Sequence, residues 1–148
     1  MTTISKEYIL EGFKALQNSE RVFTPYEIKG LVFANMKTAD GLKETDKLTC
    51  LGILKWNELI ITHLTETPMS DEFFISDEAY KAIDNVTITG NDFYNFFANC
   101  FKGISGSIDE LNTFELVQLR NDKVIDGFTT AMFANFEIVV KTCKGEVV

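Results

Sequence analysis

Hydrophobic side chains recur every three or four positions along most of this chain, the spacing of a buried stripe on an α-helix. The pattern predicts a first helix within residues 4–19, a second over 24–36 and a third from about 45 to 57. The second helix has the clearest start, because Thr24 is followed by a proline and, three positions later, by Glu27. That arrangement is a capping box with proline at the first helical position.

Two short extended runs follow the third helix and predict a small β-hairpin. Residues 60–65 form the first run and residues 72–75 the second, with a turn around Pro68 between them. Asn57 is placed to end the third helix, since asparagine tolerates the left-handed conformation found after a helix. A short helix with two acidic residues in its first turn then follows Ser76.

The second half of the chain differs in composition, because it carries eight of the thirteen phenylalanines. The aromatic residues of 93–101 fall on one side of a predicted helix, and a further helix is predicted over 107–120. Residues 122–142 predict a long amphipathic helix, although the β-branched run 138–140 is also compatible with a strand.

Within the first 84 residues, three features resemble a winged helix-turn-helix domain. One is the capped second helix. Another is LGILKWNELI at 51–60, which resembles the end of that family's recognition helix; the third is FFISDEAYKAI at 73–83, similar to its closing strand and next helix start. The resemblance implies a mainly α fold with a small β-hairpin (α+β), with a winged-helix-like region 1–84. The helical region 85–148 either shares that core or forms a dimer interface.

The net charge of the chain bears on whether such a domain would bind DNA. The 148 residues include 14 Lys and Arg and 22 Asp and Glu, which gives a net charge of −8. Such a field repels a polyanion at long range, and only two of the basic residues are arginines, the usual readers of guanine. A recognition helix would still present its early residues to a DNA groove. The candidate nucleic-acid contacts are Lys43, Thr45, Lys47, Thr49 and Lys55.

The acidity also supports an alternative to DNA binding, in which the protein is an acidic inhibitor. An acidic inhibitor would present carboxylates to the basic surface of a nucleic-acid-binding protein and so mimic DNA. Short acidic chains without catalytic motifs are typical of phage-encoded proteins that block host or defence proteins, which is an analogy at the level of protein class. The candidate acidic face consists of Glu44, Asp46, Glu58, Glu66, Asp71 and Glu72.

Catalytic and metal-binding patterns are sparse. The chain has one histidine, His63, and three cysteines, Cys50, Cys100 and Cys143, which form no CxxC pair. The GxSxG, HExxH and Walker A motifs are absent, so we predict no enzyme, no metal and no cofactor. The odd cysteine number favours reduced thiols, and no signal peptide or membrane helix is predicted. The expected location is therefore the cytoplasm.

Apolar residues outside the predicted hairpin offer candidate contact surfaces. Trp56 either covers the core or anchors an interface, since tryptophan is favoured at binding hot spots. Phe128, Met132 and Phe136 either pack in the core or form a homodimer surface through the C-terminal helices. We therefore predict a non-enzymatic regulator or adaptor that binds DNA or a protein of the transcription or replication machinery. The acidic inhibitor is the alternative.

Overall fold

The computed structural model describes residues 6–65, 77–105 and 123–145, which are mostly helical. In chain order the elements are α1 (Lys6–Gln17), β1 (Val22–Phe23), α2 (Pro25–Leu42), α3 (Lys47–Thr65), α4 (Asp77–Ile83), β2 (Ile88–Thr89), α5 (Gly90–Ser105) and α6 (Lys123–Cys143). The two strands form a small antiparallel sheet. The prediction of a mainly helical fold with a small antiparallel β component is thus confirmed.

The strand pair, however, joins different segments from those expected. Val22 pairs with Thr89 and Phe23 pairs with Ile88, so the ladder links residues far apart in the chain. The predicted first wing strand, 60–65, is wrong because these residues form the last turns of α3. The second predicted strand, 72–75, and the predicted helix 107–120 lie outside the described residues. A winged-helix arrangement is therefore not confirmed.

Helix α3 continues past its predicted end because its buried stripe continues. Trp56 and Asn57 are fully buried, and Ile60 and Ile61 are buried one turn later. This spacing keeps one face of the helix in the core and overrides the β-branched character of the run. The prediction that Asn57 ends the helix is wrong for the same reason, since its side chain lies inside the core.

The predicted start of α2 is confirmed in detail. The Thr24 hydroxyl accepts a hydrogen bond from the Glu27 backbone N–H at 3.2 Å. In return, Glu27 Oε1 accepts from the Thr24 backbone N–H at 3.1 Å, and a proline occupies the first helical position. The capping box satisfies backbone donors that have no partner inside the helix, which fixes where α2 begins.

One buried cluster contains apolar side chains from every part of the described chain. Its largest fully buried members are Trp56, Phe93, Phe97 and Phe136, and α1 and α2 add smaller residues. Helix α3 packs mainly against α6 and α2, whereas α1 packs mainly against α5 and α6. Residues on both sides of position 84 therefore enter the same core. Residues 138–140, an alternative strand on sequence grounds, belong to α6.

A closed network of buried amides lies where α2, α3 and α6 meet. The Asn35 amide donates to Asn57 Oδ1 at 3.2 Å and to Asn135 Oδ1 at 2.9 Å. Trp56 Nε1–H donates to the same Asn135 oxygen at 2.6 Å, and the Asn57 amide donates to the Val32 carbonyl. No buried side-chain nitrogen or oxygen in the described part of the chain lacks a partner. Satisfied networks of this kind fix how helices align.

Candidate binding surfaces

Helix α3, expected to read DNA, lies at the centre of the fold. It packs against α2, α4 and α6, and eight of its nineteen residues are buried. A recognition helix needs an open face along its length to enter a groove about 12 Å wide. The packing on three sides leaves α3 only a narrow exposed stripe, which includes Lys47, Leu48, Lys55 and Glu58.

The candidate nucleic-acid contacts are spread over two regions. Lys43, Thr45 and Lys47 lie at the turn between α2 and α3, and Lys55 is about two turns further along α3. Lys43 Nζ is 2.9 Å from Asp40 Oδ1, and that hydrogen bond raises the pKa of Lys43. The structure therefore brings three of the five candidate contacts close together in the chain, but one of the lysines is already engaged by a carboxylate.

The fifth candidate contact, Thr49, has a structural partner in Asp46. The Thr49 backbone N–H donates to Asp46 Oδ1 at 3.1 Å and its hydroxyl donates to Oδ2 at 2.7 Å. Asp46 thereby caps the start of α3 rather than facing a partner. Glu44 and Glu58 are exposed. The remaining acidic candidates, Glu66, Asp71 and Glu72, lie outside the described residues.

Net charge is distributed unevenly between the described and the remaining residues. The described residues carry 14 acidic and 13 basic side chains, a net charge of −1. The other seven negative charges of the total −8 belong to residues 66–76, 106–122 and 146–148. The helical body is thus close to neutral, and the acidity is concentrated in a few short stretches of sequence.

The predicted interface anchors are core residues. Trp56, Met132 and Phe136 are fully buried within the chain. Phe128 is half-buried, and its ring meets the Trp56 ring edge-on at a centroid distance of 5.5 Å. These residues pack inside the chain, where α3, α1 and α5 cover the apolar stripe of α6.

Three other aromatic side chains are exposed on the neighbouring helices α2 and α4. Tyr26 and Phe33 on α2 and Tyr80 on α4 have exposed fractions of 85%, 44% and 37%. The Phe33 and Tyr80 rings meet at a centroid distance of 5.6 Å and an interplanar angle of 62°. Tyr26 is two helical turns before Phe33 and so lies on the same side of α2. We call Tyr26, Phe33 and Tyr80 the aromatic strip.

A lysine orients the α4 end of the aromatic strip. Lys29 Nζ lies 4.0 Å from the centroid of the Tyr80 ring and 2.6 Å from Asp84 Oδ1. The hydrogen bond to Asp84 raises the pKa of Lys29, with a smaller contribution from Tyr80. The sequence contained a signal for the strip, because Tyr26 and Phe33 fall off the buried stripe of α2.

The single histidine lies in the last turns of α3 and not on a strand. His63 is exposed, and its ring packs on the buried Phe96 ring at a centroid distance of 4.7 Å. Burial raises the pKa of the Cys100 thiol to about 12, so that thiol is a poor nucleophile at neutral pH. Among the described residues, no group of three His, Cys, Asp or Glu side chains is placed to hold a metal ion.

Within the same described residues, none of the helices combines the length and the apolarity needed to span a membrane. Comparison of the chain with protein-family models, with curated proteins and with solved structures found no match.

Proposed function

We propose that this protein is a non-enzymatic adaptor or regulator that binds another protein through the aromatic strip. The observation that supports it is the exposure of three neighbouring aromatic side chains, one of them, Tyr26, 85% exposed. Clustered tyrosine and phenylalanine side chains are enriched at protein interfaces, where each ring fills a recess on the partner. The matching partner surface is an apolar recess with a hydrogen-bond acceptor for the Tyr26 hydroxyl.

A protein partner fits better than DNA for two reasons. The helix predicted to enter a groove is packed on three sides, and Lys29, the cation beside the strip, is engaged by Asp84. Affinity for DNA comes mainly from lysines and arginines that neutralise phosphates, and the described body has a net charge of −1. The strip therefore offers ring surface without the cation density that DNA needs.

The test begins with a photo-crosslinking amino acid at position 26, in cells that make the protein. The same amino acid at Tyr8, an exposed tyrosine on α1, is the matched control. A protein captured from position 26 and not from position 8 is then purified for affinity measurements. We expect Tyr26→Ala to weaken its binding by about thirtyfold, as at an interface hot spot, and Tyr8→Ala to change it less than twofold.

Equal binding by the wild type and by both Tyr26→Ala and Phe33→Ala would refute the role of the strip. A parallel titration with mixed-sequence duplex DNA at low salt addresses the competing interpretation. Tight DNA binding that weakens steeply with salt, with the strip variants unaffected, would overturn the proposal in favour of a DNA-binding protein.

The distribution of charge favours a second candidate function, an acidic inhibitor of a nucleic-acid-binding protein. Seven of the eight net negative charges belong to three stretches, two of which, 66–76 and 106–122, are longer than ten residues. Replacing Glu66, Asp71 and Glu72 together by glutamine removes three charges from one stretch. This function predicts a large loss of salt-sensitive affinity for a basic partner, whereas strip-mediated binding predicts little change.

A further inference from the structure

A pocket of about 330 Å³ opens beside the last turn of α3, between the residues that precede β2 and the first half of α5. Its volume is within the range of small-molecule sites. Three polar side chains of α5, Asp92, Asn95 and Asn99, line one wall, and Phe96 lies among them. Val86 and Ile88 supply an apolar wall.

The polar side chains of α5 have hydrogen-bond acceptors that the described residues leave unused. Asp92 Oδ2 accepts from the Thr89 backbone N–H at 2.8 Å and from its hydroxyl at 3.1 Å, while Oδ1 has no partner among them. The Asn95 amide nitrogen donates to the Asn91 carbonyl at 3.3 Å, and its side-chain oxygen is available. Asn99 makes no side-chain hydrogen bond to any described residue.

The electrostatics of the pocket favour a cation. Asp92 is the only carboxylate among the described lining residues, and none of those residues is a lysine or an arginine. The last described turn of α3, which carries His63, borders the pocket.

The spacing along α5 indicates the size of the ligand. Asp92 and Asn95 are one helical turn apart, so their oxygens can receive the same ammonium group, which has three donors. Asn99 is one turn further along the same face and is placed to receive a second donor. The apolar side chains opposite suit a short hydrocarbon chain between the two.

We propose that this pocket binds a short aliphatic diamine. One ammonium group is received by Asp92 and Asn95, the other by Asn99, and the hydrocarbon chain lies against Val86 and Ile88. The site does not depend on a partner protein, and it is separate from the aromatic strip.

The test is an NMR titration of the full-length ¹⁵N-labelled protein with 1,4-diaminobutane. We expect saturable shifts of the Asn95 and Asn99 side-chain amides. Two ligands of similar length, 1,4-butanediol and succinate, are controls without the positive charges, and we expect neither to bind.

Two matched variants separate a pocket from general attraction of a cation to an acidic protein. Asp92→Asn removes the charge but keeps an oxygen that accepts the Thr89 hydrogen bonds, and we expect it to weaken diamine binding about tenfold. Glu78→Gln makes the same charge change at an exposed position of α4, and we expect less than a twofold effect. Asn99→Leu leaves the contact between Asp92 and Thr89 intact and removes the group proposed to receive the second ammonium. We expect it to weaken diamine binding as well, so it tests the site even if Asp92→Asn fails to fold.

Three results would overturn the proposal. One is the absence of saturable shifts with the diamine. The second is an equal loss of binding in Asp92→Asn and Glu78→Gln, which would indicate non-specific attraction. The third is equal binding of 1,4-butanediol, which would show that the positive charges are not recognised.

Discussion

Replacing Asn135 by leucine tests whether the buried amide network stabilises the packing of α2, α3 and α6. The substitution keeps the approximate side-chain volume but removes three hydrogen bonds. Trp56 Nε1–H and Asn35 Oδ1 then lose their partners, whereas the Asn35 amide nitrogen keeps its bond to Asn57. The effect thus comes from two buried polar groups left without hydrogen bonds.

The expected cost follows from those two groups. Each buried donor or acceptor without a partner lowers the free energy of unfolding by about 1–3 kcal/mol. The higher helix propensity of leucine raises it by about half a kcal/mol. The free energy of unfolding should therefore fall by about 2–5 kcal/mol, a large share of the 5–15 kcal/mol typical of a domain. With a urea slope near 2 kcal/mol per M, the midpoint should fall by roughly 1–2.5 M.

Trp56 makes the assay direct, because it is the only tryptophan and belongs to the network. Its fluorescence during urea unfolding reports the loss of the same environment that the substitution perturbs. Thr130→Leu, at an exposed position of α6, is the control with a similar gain in helix propensity, and we expect a change below about 0.5 kcal/mol.

A double-mutant cycle with Asn35→Leu sharpens the test. Asn35→Leu alone leaves Asn57 Oδ1 and the Asn135 amide nitrogen without partners, and the double variant leaves only Trp56 Nε1–H and Asn57 Oδ1. We expect the double variant to cost about half the sum of the two single variants. Asn135→Leu within about 0.5 kcal/mol of the wild type, or simple additivity, would refute the reasoning.

Three further outcomes follow from close contacts and pKa shifts. Gly127→Ala should destabilise the protein by more than about 2 kcal/mol in urea unfolding, because a Cβ would lie 2.3 Å from the Thr49 carbonyl oxygen of α3. Glu27→Gln should lower stability by about 0.5 kcal/mol at pH 7, because the Arg21 hydrogen bond holds the Glu27 pKa below its ordinary value. That contribution is present above the ordinary pKa and is lost as the pH falls through the lowered one, so wild type and variant should converge in acid. Cys100, whose pKa burial raises to about 12, should resist alkylation at pH 8 in the native protein and react after denaturation.

Each of these outcomes has a control in the chain. Gly30→Ala should stabilise by about 0.5–1 kcal/mol, since nothing lies within 4 Å of the added Cβ in this exposed helical position. Glu58→Gln, which makes the same charge change at an exposed residue of α3, is the matched control for Glu27→Gln. Cys143, which is partly buried like Cys100, is labelled in the same experiment for comparison. A neutral Gly127→Ala, a pH-independent Glu27→Gln or rapid native labelling of Cys100 would contradict the corresponding argument.

The helices were predictable where a local signal determines them. The start of α2 was readable because the capping box needs only residues 24–27, and α6 was readable from its apolar spacing. The prediction of a strand over 60–65 was wrong because it relied on the β-branched composition of that run. The packing of Ile60 and Ile61 against the core stabilises a helix there instead. The burial of Asn57 depends on amides of two other helices, which are far away in the sequence.

The strand pair and the candidate surfaces were harder to predict. Val22 and Thr89 pair across more than sixty residues, so no local turn marks the sheet. The sequence showed the row of apolar residues on α6. Whether that row contacts another helix or a second protein depends on tertiary packing, which the sequence pattern does not determine. Tyr26 and Phe33 could have been identified as exposed by their position off the buried stripe of α2.

The packing of α1 has a consequence for synthesis on the ribosome. Ile9, Phe13 and Leu16 are buried, and Phe13 contacts the ring of Phe136 on α6 at a centroid distance of 5.0 Å. At about 5–20 residues per second, the ribosome needs roughly 6–25 s to extend the chain from the end of α1 to the end of α6. During that interval the apolar face of the first helix lacks α6, one of its two main packing partners, and is exposed to chaperones and to other nascent chains.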